Sequence, residues 1–156
     1  MAAVVLHEQR WGVPSGLPSV LLVHATGDTS ADWADVAAGL AVDRLVVAVD
    51  LRGHGESPWP GSYALAELAE DVVMVADSVA AEQGRPVDVV GHSLGGLVAC
   101  VLASGRPDLV RRLVLEDVPV PHPRDPRPPE RPDGDLAVDW EAVLQVRAQI
   151  DEPDPG

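Results

Sequence analysis

The stretch Val87-Asp88-Val89-Val90-Gly91-His92-Ser93-Leu94-Gly95 decides how this chain is read, because an apolar run leads directly into a serine with a glycine two places away on either side. A serine in this G-x-S-x-G setting predicts a sharp turn between a strand and a helix. The flanking glycines leave room for strained backbone there, and the hydroxyl is exposed. That is how a nucleophile is presented.

Outward from this point, short apolar runs recur with helical patterns between them: Val20 to Val23, Leu45 to Val49, Val87 to Val90 and Leu113 to Leu115. They are nearly continuous rather than alternating, which predicts strands buried on both faces. Leu65, Leu68, Val72, Val75 and Val79 follow a three-four spacing and predict a helix that ends near Gly84-Arg85-Pro86 and covers the sheet. Shorter helices are predicted from Asp32 to about Ala41 and from Ser93 to about Ser104, the latter stopped by Gly105 and Pro107. Residues 2–10, with Val4, Val5 and Leu6, add a weaker strand signal ahead of these. Alternation of strand and helix predicts an α/β fold with a mostly parallel, doubly wound sheet. Seven prolines between Val118 and Asp133 mark an extended linker, and Asp139 to Ile150 reads as an isolated amphipathic helix. The expected division is a core over 1–118, a proline-rich linker over 119–138 and a helical segment over 139–156.

Composition bounds the function. The 156 residues fit one domain, and 46% of them are apolar, enough for a real core. A net charge of -14, with arginine the only basic residue apart from histidine, disfavours nucleic acid and anionic membrane as partners. The absence of Lys, Asn and Phe reads first as GC-rich coding bias and only second as adaptation to salt. The single cysteine, Cys100, reads as a packing residue. No basic-apolar leader opens the chain and no apolar stretch approaches the ~20 residues of a membrane span, so a cytoplasmic protein is expected.

Two further segments stand in order before the serine motif: Val23-His24-Ala25-Thr26-Gly27, and Asp50-Leu51-Arg52-Gly53-His54-Gly55-Glu56-Ser57. With Gly91-His92-Ser93-Leu94-Gly95 they resemble the α/β-hydrolase family, which pairs an H-G-x-x-G-like turn, a D-x-R-G-H-G-x-S loop and a G-H-S-x-G elbow. The resemblance covers about Val4 to Val118, the N-terminal portion of the fold, and it implies that 139–156 is the start of a cap helix. It implies that Ser93 is the nucleophile and that the backbone N–H groups of Leu94 and Thr26 form an oxyanion hole. Ala25 stands where the family has glycine, which bears on the geometry around Thr26. His24 and His92 are expected to be structural. Arg52 and His54 are expected to organise their loop, with Asp50 able to pair Arg52.

A serine hydroxyl needs a base, and the base needs an orienting acid. The resemblance implies that both follow Ser93, acid before histidine. Asp117, in the Glu116-Asp117 pair, is a candidate acid, against the plainer reading that the pair caps its strand. His122 is the only histidine after the motif and sits among prolines. Truncation before the final strand-helix units is therefore expected, with weak activity or none. The implied reaction is hydrolysis of a small ester, lactone or related carbonyl substrate, without metal or organic cofactor. Serine at the elbow argues against the haloalkane-dehalogenase and epoxide-hydrolase branches, which use aspartate there. The rival is a catalytically dead remnant acting as a binding module, and uncovered apolar surface predicts self-association.

Overall fold

The computed structural model describes residues 3–118; the expected linker, the expected cap helix and His122 lie outside the described residues. In chain order the elements are β1 (Glu8–Trp11), β2 (Val20–Val23), a 3-10 turn (Ser30–Trp33) running into α1 (Ala34–Leu40), β3 (Val46–Val49), α2 (Leu65–Gln83), β4 (Val87–His92), α3 (Leu94–Gly105) and β5 (Val110–Glu116). They build one five-stranded sheet of order β1-β3-β2-β4-β5, in which only β1 runs antiparallel to its neighbour.

The apolar runs explain the layering. All four residues of β2 and all four of β3 are buried, as continuous rather than alternating apolar runs require in a central parallel strand. Leu21, Val23, Val47, Val49, Val87 and Val89 face one way, into a core closed by α2 and α3. Val20, Leu22, Val46 and Ala48 face the other way, into a smaller core with Trp33 and Ala37. Every position of the predicted α2 stripe is buried, and the helix ends at Gly84 as Gly84-Arg85-Pro86 predicts.

Three expectations are adjusted. The first strand begins at Glu8 rather than over Val4 to Leu6, because the Val4 N–H is taken by the Asp71 carboxylate at 2.7 Å instead of by a strand. The segment predicted from Asp32 to Ala41 divides into the 3-10 turn and α1. The fourth apolar run is not buried on both faces: Leu113 and Leu115 pack inward while Val114 is 55% exposed, since β5 forms a margin of the described sheet.

One polar pair inside this core has no counterpart in the sequence expectation. Arg52 binds Asp71 of α2 through two hydrogen bonds, Nε to Oδ2 at 2.6 Å and Nη2 to Oδ1 at 2.8 Å. It also reaches the Ser62 carbonyl at 3.2 Å and Glu67 at 3.4 Å. Both Arg52 and Asp71 are buried. Asp50 is therefore not the partner of Arg52. The fork geometry of guanidinium and carboxylate, with the Val4 N–H as a further donor, offsets the desolvation of two charges. Replacing Asp71→Ala leaves Arg52 buried without its carboxylate and should destabilise the protein by about 3–5 kcal/mol, read as a lower urea midpoint at unchanged slope.

Candidate active site

The strand order fixes where a site forms. The chain leaves β2 toward β3 on one side and leaves β4 toward β5 on the other, so a crevice opens at the carboxyl ends of β2 and β4. Ser93 stands at one wall of this switch point, immediately after β4 and before α3. Its backbone has φ 49° and ψ −112°, outside the regions an L-residue prefers. Such a conformation stores ~1–3 kcal/mol and survives only where the surroundings enforce it.

The enforcement is visible in the glycines. A Cβ on Gly95 would lie 2.2 Å from the Val23 carbonyl oxygen and 2.6 Å from that of His24; one on Gly91 would lie 2.5 Å from the Gly95 carbonyl oxygen. The start of α3 therefore presses on the end of β2 with no space for a side chain at either position. The strain falls on Ser93 itself. Its N–H donates to the Glu116 carbonyl at 3.0 Å, while its own carbonyl accepts from Gly96 and Leu97 at 3.0 and 3.1 Å. The Ser93 side chain makes no capping bond to the helix. Leu94 is the first residue of α3, where backbone N–H groups lack intrahelical acceptors.

Opposite lies the turn Ala25-Thr26-Gly27-Asp28, closed by the Asp28 N–H to the Ala25 carbonyl at 3.1 Å. Gly27 takes φ 84° at its third position, and Thr26, exposed, is at its second. The turn accommodates Ala25 as a buried residue where the resemblance implies glycine. Two contacts tie it to the elbow: the Gly95 backbone against the Val23 and His24 carbonyls, and His92 Nδ1 3.9 Å from Asp28 Oδ2. The structure thus brings Thr26, Ser93 and Leu94 to one end of adjacent strands.

His24 is buried beneath the turn. Its Nδ1 lies 2.7 Å from the Ala25 carbonyl, and its Nε2 accepts from the Leu51 N–H at 2.9 Å. These partners assign a neutral ring with the proton on Nδ1. Burial pushes its pKa below the ordinary value, outweighing the Ala25 carbonyl, and His54 with its ring centroid 5.0 Å away adds to the lowering. The loop after β3 is held by Asp50, whose carboxylate accepts from the Ser30 N–H at 2.7 Å and the Glu56 N–H at 2.8 Å. Desolvation raises the Asp50 pKa, but the N–H donors prevail and hold it below the usual carboxylate range. Ser57 donates its hydroxyl to the Asp50 carbonyl at 2.5 Å and accepts the His7 N–H at 2.8 Å. His54 Nδ1 lies 3.1 Å from the Arg52 carbonyl.

Asp117 follows β5 directly and is exposed, with φ 47°. Besides Ser93 it is the only non-glycine residue among those described with positive φ. Since Glu116 accepts the Ser93 N–H, Asp117 stands one residue from the elbow's own hydrogen bond. Cys100 is buried in α3, and burial pushes its thiol up to about 11, in keeping with packing. Among the described histidines, His24 is spent on backbone partners, His54 faces a carbonyl, His92 faces Asp28 and His7 faces Glu56 at 3.6 Å; no hydrogen bond to Ser93 Oγ occurs among the described residues. The sequence reading did not find the Asp71 and Asp28 partnerships. For the burial of Asp71, though not for its partner, a signal existed, because it lies on the apolar stripe of α2 between Leu68 and Val75.

A family model for the alpha/beta hydrolase fold matches residues 18–148. Lipase LipV of Mycobacterium tuberculosis is 40% identical over 112 residues, 72% of this chain and 41% of that protein. A pimeloyl-(acyl-carrier protein) methyl ester esterase of Neisseria meningitidis is 38% identical over 108 residues, 69% of this chain and 32% of that protein. Among solved structures, the thioesterase domain from the curacin biosynthetic pathway aligns with a TM-score of 0.67 at 27% identity, covering 94% of this chain and 51% of that one. The chain spans less than half the length of the two curated relatives.

Two measurements check the geometry. Gly95→Ala must push the elbow off the Val23 carbonyl and should destabilise by about 3 kcal/mol, whereas Gly39→Ala, in α1 with open space at its Cβ position, should be neutral or stabilising by ~0.5–1 kcal/mol. Urea midpoints decide between these signs. His24, neutral when folded, titrates near ~6.5 when unfolded. Its folded pKa being the lower one, stability is undiminished above that pH and falls as the pH drops below it, by up to ~1.4 kcal/mol per pH unit until the folded value is reached. A His24→Asn variant should be less stable near neutrality but lose less between about pH 7 and about pH 5.

Proposed function

We infer, because the chain belongs to the α/β-hydrolase fold family, that it carries the nucleophilic half of a serine hydrolase acting on a carboxylic ester, lactone or related carbonyl substrate. The observation that carries this reading is the enforced backbone of Ser93 at the end of β4, which sets a hydroxyl at a topological switch point. In the proposed reaction Ser93 Oγ attacks the carbonyl carbon while a base takes its proton. The tetrahedral oxyanion is held by the N–H groups of Leu94 and Thr26. The alcohol leaves with the proton, and water then frees the acid from the acyl-enzyme. Each oxyanion donor is typically worth ~3 kcal/mol, since it is fixed before charge develops. Asp117, directly after the strand next to the elbow, is the candidate acid. Relatives named lipase and methyl ester esterase support an ester as the substrate class. No metal or organic cofactor is part of this proposal, and the substrate is a small molecule.

The base is assigned outside the described residues, because each described histidine is turned to another partner. The second reading, a binding module without catalysis, draws on the same observation, since a serine without a base hydrogen bond is a weak nucleophile. On the leading reading, the chain should hydrolyse p-nitrophenyl acetate at a rate that Ser93→Ala abolishes. Equal rates for the chain and Ser93→Ala would favour the binding module. Fast multiple turnover abolished by Ser93→Ala would assign the base and acid to residues of this chain, with His122 and Asp117 first in line.

A further inference from the structure

Three glycines surround Ser93, and two of them, Gly91 and Gly95, are accounted for by the elbow itself. The third, Gly96, answers to a different part of the chain. A Cβ on Gly96 would fall within the Val118 side chain, whose Cγ2 fills the space that glycine leaves open. Val118 stands two residues past the end of β5 and is half-buried against the main core. The first turn of α3 therefore seats a side chain from the segment that follows the neighbouring strand.

That seat bears on the residue between. Glu116 is bound to the elbow through its carbonyl, which accepts the Ser93 N–H at 3.0 Å. Val118 is fixed to the same elbow by packing on Gly96, whose own N–H donates to the Ser93 carbonyl at 3.0 Å. Asp117 thus spans two anchors, and both belong to the turn that carries Ser93. One residue between fixed neighbours has few backbone solutions, and the one taken, with φ 47°, is uncommon for a residue that carries a side chain. Valine suits the seat, because its β-branched side chain has little rotamer freedom to lose.

We propose that Gly96 and Val118 are positioning residues, whose contact locks Asp117 against the elbow at the place from which its carboxylate orients the imidazole that serves Ser93. The proposal rests on the serine-hydrolase reading above, with Asp117 as its acid. Such an acid holds the imidazole in one tautomer and one orientation, so its own placement enters the rate. A misplacement of about 1 Å at a group of this kind can cost ~100-fold. Val118 acts only through where it sets Asp117.

Hydrolysis of p-nitrophenyl acetate by the full chain tests the lock. Val118→Ala empties the seat and should lower kcat by about tenfold or more, with KM held within about threefold. In an Asp117→Asn background the same substitution should change kcat by less than about twofold, because the group it misplaces is already gone. Gly96→Ala should reverse its sign between backgrounds. Beside Val118 it collides and lowers kcat; in Val118→Ala it lies 3.4 Å from the Cβ at position 118, refills the seat and raises kcat.

Hydrogen exchange supplies a readout apart from activity. The Ser93 N–H should exchange about tenfold faster or more in Val118→Ala, while the Leu22 N–H of central strand β2, a measure of global opening, keeps its rate. Equal losses of kcat with and without the Asp117 carboxylate, a Gly96→Ala effect of one sign in both backgrounds, or a Ser93 N–H indifferent to Val118→Ala overturns the lock alone. Rates equal for the chain and Ser93→Ala overturn the hydrolase reading and the proposal with it. An Asp117→Asn variant of undiminished kcat, in a chain whose turnover Ser93→Ala abolishes, overturns the acid and the proposal but leaves the nucleophile standing.

Discussion

The Val23 carbonyl oxygen lies where a side chain on residue 95 would begin, at 2.2 Å from the position of its Cβ. This contact between the end of a central strand and the first turn of α3 sets the rest of the switch point. A helix that starts so close to the sheet leaves the chain a single residue in which to turn from extended to helical, and that residue is Ser93. Its positive φ is thus the geometric consequence of two close approaches, at Gly91 and at Gly95, rather than a preference of serine. The same closeness sets the first N–H groups of α3 beside the turn that follows β2, so elbow and turn share one boundary condition.

The polar groups around this contact are spent on backbone rather than on one another. Asp50 accepts from two N–H groups of separate loops, His24 bridges the Ala25 carbonyl and the Leu51 N–H, and Ser57 joins the Asp50 carbonyl to the His7 N–H. Each loop is held by a side chain of another, and none of these groups could be replaced by an apolar one without orphaning a buried donor or acceptor. The Arg52–Asp71 pair does at longer range what Asp50 does locally. It fastens the loop after β3 to α2, and Asp71 also takes the N–H of Val4, so that helix, loop and N-terminal segment meet at one carboxylate. A net charge of -14 does not weaken such a junction, because its charges are buried and paired.

The parts of the fold that depend on pattern were legible in the sequence. The α2 stripe and the continuous apolar runs of β2 and β3 are one-dimensional signals of burial, and they gave the layers and the parallel sheet. The elbow was legible because glycine spacing around a serine after an apolar run has few other uses. What the sequence did not disclose is which polar residue meets which. Asp50 lies two positions from Arg52, and proximity in sequence pointed to that pair, yet the backbone after β3 turns Asp50 toward the N–H groups of Ser30 and Glu56 and turns Arg52 toward α2. Partnerships across 19 residues, as for Arg52 and Asp71, depend on how layers stack, and no local pattern encodes them. The burial of β5 was overread for a related reason: an apolar run reports what a strand is able to bury, and its place in the sheet order decides what is covered.

Strain gives the last link between β4 and β5. The two non-glycine residues of positive φ, Ser93 and Asp117, follow the ends of adjacent parallel strands, and the strands are in register there, His92 opposite Glu116. The bond from the Ser93 N–H to the Glu116 carbonyl joins the two departures, so the turn that ends one strand constrains the turn that ends the other. If Asp117 serves as the acid of the proposed hydrolase, its distance from Ser93 is set by this strand pairing and not by loop flexibility. A carboxylate acts on a serine only through an imidazole between them. The base would then have to reach down between the carboxyl ends of β4 and β5, from a segment lying over that edge of the sheet. That geometric demand distinguishes Asp117 from any acid carried on a later element, because it fixes the direction from which the base approaches.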